Sequence, residues 1–196
     1  YWPAYHGNRL EHLRPLFDMI RGWLPQLREN ARTFIGVEDG VMLPHAVDDR
    51  CRCMGNFWTG MMDHGCTMWI AEMMFRYVRY SGDRRFLRTD AYPFMRGAMA
   101  VFAAMLETAP DGALALPVGV SPEFRVAEDL ETAAAMLGET PPPVCAQILA
   151  KLPKAALVPE GHRAVIALWE GLKLPESHRH HSHLAAIAPF DAIDCE

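Results

Sequence analysis

Apolar residues recur at helical spacing through most of the 196-residue chain, and the polar stretches between them are long. Leu10, Leu13, Phe17 and Ile20 lie on one helical stripe behind Asn8, a residue type that caps helix starts. Gly22 and Pro25 predict a break there, with a second helix from Pro25 to about Thr33 ended by Gly36. Between Val37 and Gly60 the periodicity disappears. Glu38-Asp39-Gly40 and Pro44-His45-Ala46-Val47-Asp48-Asp49 read as a long loop, and its Val41, Met42, Leu43, Phe57 and Trp58 predict that it is ordered.

The clearest helix covers about 62–80. Met62, Cys66, Trp69, Ile70, Met73, Tyr77 and Tyr80 form its predicted core stripe, with Glu72 and Arg76 paired at i,i+4 on the other side. Ser81-Gly82-Asp83 stops it, and Asp83 can cap a short helix over 84–88. A further amphipathic helix spans Tyr92 to Glu107, with Pro93 in its first turn. Asp111-Gly112 marks a turn, and 114–120 is too short and too rich in Pro and Gly for a helix. Ser121-Pro122-Glu123 has the make-up of a helix start leading to Gly138, and Pro141-Pro142-Pro143 is a stiff joint before a helix near 144–151. From 152 to 175 the pattern is irregular. The expectation is an all-α scaffold of helix pairs with its chemistry on the loops.

Composition narrows the function. The chain is 51% hydrophobic and 22% charged, ordinary for a folded domain, and 196 residues suffice for a core. A net charge of −5 without a Lys/Arg run argues against nucleic acid or an anionic membrane as partner. No apolar window reaches the roughly 18–20 residues of a transmembrane helix. The five cysteines are scattered, and Cys51-Arg52-Cys53 is too tight for a Cys-x-x-Cys metal knuckle, so the thiols are expected to be free. The chain opens at Tyr1-Trp2-Pro3 with no initiator Met and no signal peptide, which reads as an N-terminus lying further upstream and leaves the compartment open.

The densest chemistry is Pro175-Glu176-Ser177-His178-Arg179-His180-His181-Ser182-His183-Leu184, which holds four of the nine histidines within six residues. Crowded imidazoles repel one another when protonated, and every ring nitrogen needs a partner. Such a cluster suits a metal site or a site that hydrogen-bonds a polar ligand. Arg179, Ser182 and the apolar run after His183 argue against a tag. His178, His180 and His183 have a spacing that zinc accepts, so a metal-dependent hydrolase is one alternative. Ser182 stands where metallohydrolase histidine runs commonly carry an Asp, and no second ligand cluster has convincing spacing.

Several motifs, taken in order, carry a resemblance: Tyr1-Trp2-Pro3-Ala4, Pro15-Leu16-Phe17-Asp18, Thr67-Met68-Trp69, Tyr80-Ser81-Gly82-Asp83, Tyr92-Pro93, Ser121-Pro122-Glu123 and His178-Arg179-His180-His181-Ser182-His183-Leu184. Together they resemble the landmarks of glycoside hydrolase family 95, the α-L-fucosidases with some α-L-galactosidases, built on an (α/α)6 barrel. The resemblance implies that residues 1–196 form part of one catalytic domain whose N-terminal part is absent. It also implies inverting hydrolysis of terminal α-L-fucosyl or α-L-galactosyl residues of an oligosaccharide substrate, with no cofactor and no metal.

By its motif, Glu123 matches the family's general acid. The first turn of a helix favours the ionised carboxylate, whereas a general acid needs a raised pKa, so burial or a nearby carboxylate would have to overcome the dipole. The family activates water with an Asn-x-Asn motif that would lie just upstream of Tyr1, assisted by an acid for which Glu176 is the candidate and Glu170 the reserve. His178, Arg179, His180 and His183 would then bind or orient the sugar, and His45 and Asp48 match a similar pair in the family. Trp58 and Trp69 are candidates for stacking on a sugar face, and Tyr1, Trp2 and His6 for lining the same cavity. A non-catalytic carbohydrate-binding fragment is the remaining alternative.

Overall fold

A computed structural model describes residues 1–54, 64–116, 124–152, 157–161 and 163–166. The chain is mainly helical, as the apolar periodicity predicts. Trp2–His6 forms a short first helix (α1), followed by a 3-10 turn at Leu10–Leu13. Asn8 does not cap a helix start; it follows α1 with φ of 52°, a left-handed conformation that asparagine tolerates.

The predicted break at Gly22 and Pro25 does not occur. Arg14–Ile35 is one 22-residue helix (α2) with Pro25 in its interior, ended by Gly36 at φ 78°. Leu13, Leu16, Phe17, Ile20, Leu27 and Ala31 are buried along one face that continues across the proline. An interior proline loses one backbone hydrogen bond; here the continuous apolar face outweighs that loss.

Gly65–Ser81 forms the next helix (α3) and packs against residues 87–105 and 124–137. Thr67, Met68, Ala71, Phe75 and Val78 are almost inaccessible, and so are Ile70, Met73, Met74 and Tyr77, which makes the helix buried around most of its circumference. The single predicted stripe was therefore too narrow, and it included Trp69 and Tyr80, which are 38% and 50% exposed. The Glu72–Arg76 pair is present, but Glu72 is buried.

Gly82 ends α3 in the left-handed region, and the Asp83 carboxylate accepts the Phe86 N–H at 2.9 Å as expected. The two helices predicted beyond it are joined. Arg84–Phe86 (α4) passes through a π turn, Leu87–Ala91, directly into Tyr92–Met105 (α5). Helix α5 ends two residues earlier than predicted, because Glu107–Thr108 (β1) pairs antiparallel with Leu114–Ala115 (β2) across the Asp111-Gly112 turn. Phe124–Leu137 (α6) and Pro143–Lys151 (α7) are the last helices among the described residues and pack against each other; α6 also packs on α3 and α5. Within the stretch expected to be irregular, Leu157–Glu160 (β3) and Arg163–Ile166 (β4) form a second antiparallel pair, with Gly161 at φ 63° in the connection.

Candidate functional site

The long loop after Gly36 is the described part of the candidate site, and it is tied to three helices. Val41 N–H donates to Gly97 O of α5 at 3.2 Å, and Met42 N–H to Leu27 O of α2 at 3.0 Å. Leu43 N–H donates to the Thr67 hydroxyl of α3 at 2.9 Å. These bonds satisfy backbone groups that sit beside the buried side chains of Val41, Met42 and Leu43. The strand-like stretch lies so close to α5 that a Cβ on Gly97 would meet Val41 at 3.1 Å, and one on Gly40 would meet Val101 at 2.5 Å. The buried Asn30 amide adds bonds to Met42 O at 3.3 Å and Cys51 O at 3.0 Å. The ordered loop expected from its apolar content is thus present over residues 37–54.

Its tip is a small hairpin. Val47 pairs with Cys53, Asp48 N–H donates to Arg52 O at 3.0 Å, and Met54 N–H donates to Ala46 O at 2.8 Å. Asp48 holds the turn from inside: its Oδ1 accepts the N–H groups of Arg50 at 2.9 Å and Arg52 at 2.8 Å. Those two donors, Arg52 foremost, hold the Asp48 carboxyl below its usual range. Cys51 closes the turn at φ 62°, and burial pushes its thiol up to about 11. Trp23 donates its indole N–H to Asp49 O at 3.0 Å, which fixes the hairpin on α2.

His45 is exposed at the entrance to this hairpin, with its Nδ1 4.0 Å from Cys66 Sγ in the first turn of α3. The imidazole is therefore displayed on a loop whose neighbouring backbone is fixed. His64, which the sequence did not single out, is buried just before α3, with its ring stacked on Phe102 at a centroid distance of 6.2 Å. A lone His between masses of apolar sequence carries no local signal for such a position.

On α3 lies an aromatic and charged group. Arg76 donates to Glu72 Oε1 from Nε at 3.1 Å and from Nη2 at 2.5 Å, and its guanidinium stacks over Trp2. Trp69 lies 6.4 Å from Trp2, ring to ring, so it is a surface residue of this group rather than part of a core stripe. Tyr5 donates its hydroxyl to Met73 O at 2.6 Å; burial, followed by the Glu72 charge, raises its pKa. Tyr1 and His6 are exposed on the same short helical region.

Trp58, Glu123, Glu170, Glu176, His178, Arg179, His180 and His183 lie outside the described residues, as do the 117–123 segment and its Ser-Pro-Glu start. Among the described residues no group of three or more His, Cys, Asp or Glu is arranged to hold a metal ion, and no helix is long and apolar enough to cross a membrane. Among the described residues, Cys51, Cys53 and Cys145 are free thiols.

A helical scaffold whose ordered loop displays polar groups does not by itself fix a function, which has to come from the family and the site. Residues 1–156 match the glycosyl hydrolase family 95 catalytic domain, and the chain belongs to that family. It is also similar to alpha-L-fucosidase 2 of Arabidopsis thaliana, 26% identical over 235 residues. That match covers 100% of this chain and 26% of the relative, so the chain spans about a quarter of the relative's length.

Proposed function

We propose that residues 1–196 are part of a single glycosidase catalytic domain that removes terminal α-L-fucosyl or α-L-galactosyl residues from oligosaccharides with inversion. The observation that carries this reading is the family match over residues 1–156, joined by similarity to a fucosidase along the whole chain. Glu123 is the proposed general acid. Glu176 is the proposed acid that assists water activation, on the face opposite the leaving group. An inverting pair stands roughly 6.5–9.5 Å apart to leave room for that water.

His178, Arg179, His180, His183 and His45 are proposed to donate hydrogen bonds to sugar hydroxyls, Asp48 to face the sugar as an acceptor, and Trp58 to stack on the sugar's apolar face. The fixing of the loop by Thr67, Gly97 and Asn30 supports a positioning role for His45, since a rigid support reduces the entropy lost on binding. Asp48 would contribute chiefly by holding the hairpin shape.

The test is hydrolysis of aryl α-L-fucosides and α-L-galactosides, with the released anomer followed by NMR. It uses this chain and an upstream-extended form, each as wild type and as Glu123→Gln, with and without EDTA. Inverted product that falls about 10²–10⁴-fold in Glu123→Gln and ignores EDTA is expected. Loss of activity with EDTA alone would replace this mechanism with a metal-dependent one at the histidine cluster. Sugar binding without turnover in every form would make the chain a binding fragment.

A further inference from the structure

A groove beside α2 contributes no residue to the proposed catalytic set. It lies between α2 and the Asp83–Asp90 segment and encloses about 580 Å³, room for one or two sugar rings. Four of its five charged lining residues form two ionic pairs. Arg14 donates to Asp83 at 3.3 Å, and Arg21 donates through Nε to Asp90 Oδ1 at 2.6 Å. The Asp90 partnership, foremost by its hydrogen bond, holds the Arg21 guanidinium more firmly protonated than usual. Asp83 is fixed further by capping Phe86, and the Asp90 side chain is only 13% exposed. Leu24 and Phe86 supply an apolar wall.

The π turn Leu87–Ala91 builds one side of this groove. It contributes Thr89, whose hydroxyl reaches Arg85 O at 3.1 Å and also Asp90 Oδ2. One-turn π segments inside helices are uncommon and recur at functional positions. Arg85 adds an exposed guanidinium at the rim.

This lining discriminates between ligand classes. Carboxylates and guanidinium groups alternate, so charge is largely cancelled locally and a simple anion meets Asp83 and Asp90 as well as the arginines. A sugar hydroxyl donates and accepts at once, which suits adjacent Asp and Arg groups, while the ring's C–H face suits the half-buried Leu24. We propose that the groove between α2 and the π turn is a second carbohydrate site for a neutral, hydroxyl-rich sugar. It shares no residue with the proposed catalytic set. The choice of an L-fucosylated ligand rests on the glycosidase reading; the polarity of the groove does not.

The test titrates this chain with a neutral L-fucosylated trisaccharide and, separately, with inorganic sulfate, using calorimetry and saturation-transfer NMR. The trisaccharide is expected to bind with Kd on the order of 1 mM. Arg85→Ala and Thr89→Val, both at exposed positions, are expected to weaken it about fivefold to tenfold each while far-UV circular dichroism stays unchanged. Glu123→Gln is expected to abolish hydrolysis and leave this weak binding intact, which separates failure of the groove from failure of the catalytic reading. No trisaccharide binding at about 20 mM would overturn the proposal. So would unchanged affinity in both groove variants, or sulfate binding that competes with and exceeds that of the sugar.

Discussion

The guanidinium of Arg76 lies over the indole of Trp2, with Cζ 5.0 Å from the ring centroid. They stand far apart in sequence, so the contact fixes the N-terminal helix on α3. Tyr5 strengthens the same junction through its bond to Met73 O. The cation also serves Glu72, a carboxylate only 2% exposed, and thus joins a buried charge to a half-buried ring.

Arg76→Ala is therefore expected to destabilise the fold by about 3 kcal/mol, since it withdraws two charge-assisted bonds from a buried carboxylate. At this chain length that is a fall of roughly 6–12 °C in Tm. Arg76→Lys should lie between, because it keeps the charge and loses the planar fork. A loss below about 1 kcal/mol in thermal unfolding of Arg76→Ala would show that the pair acts as a surface ion pair.

Two glycines give opposite expectations. An added Cβ at Gly40 meets Val101 at 2.5 Å, Val37 at 2.9 Å and Ala31 at 3.1 Å, all side chains in close packing. Gly40→Ala is expected to cost about 1–3 kcal/mol by overpacking and to loosen the loop below His45. Gly22 lies inside α2, where a Cβ would meet nothing within 4 Å, so Gly22→Ala should stabilise the chain by up to about 1 kcal/mol. Chemical denaturation of both variants checks the pair of signs.

Cys51 and Cys145 predict a weakness in alkali. Burial pushes each thiol from its ordinary 9.0 up to about 11. The unfolded chain loses these protons first, so the stability they contribute is complete below pH 9 and lost as pH rises towards 11. Urea midpoints should fall across that window in the wild type. The fall should be smaller in Cys145→Ala, and an identical fall in that variant would assign the alkaline loss to other groups.

Asp48 predicts the opposite dependence. Its folded carboxyl titrates below the ordinary 3.8, so its contribution is present above that value and disappears as pH falls through the lower folded one. Slow amide exchange at Arg50 and Arg52 should therefore persist below pH 3.8. Asp48→Asn retains an acceptor oxygen and should keep the hairpin, whereas Asp48→Ala should release both amides. Equal exchange in the two variants would mean that the turn is held by its backbone bonds alone.

The parts of the fold legible in the sequence were those decided locally. Gly36, Gly82 and Asp83 act where their residue types direct them, through a left-handed glycine or a carboxylate that caps an N–H. What misled was local chemistry overruled by packing. Pro25 reads as a break, yet Ile20, Leu27 and Ala31 hold α2 together on its buried face. A helix buried around most of its surface has no single stripe to find, which is why Trp69 and Tyr80 were placed inside. In the candidate site, His45 and Asp48 stood out by their match to a similar pair in the resembled family. The backbone bonds that fix them come from Leu27, Thr67 and Gly97, positions remote in sequence and without a motif of their own.

The attachment of the loop to three helices also dictates where its length can change. From Val41 to Leu43 the chain is registered residue by residue against α5, α2 and α3, so an insertion there would shift all three bonds beside the tightly packed Gly40. The tip at Asp49 and Arg50 is exposed and is held at fewer points, by the Trp23 indole on Asp49 O and by Asp48 on the Arg50 N–H. Natural length variation in this segment should therefore collect at the hairpin tip, where the loop can be remodelled while its base stays in register.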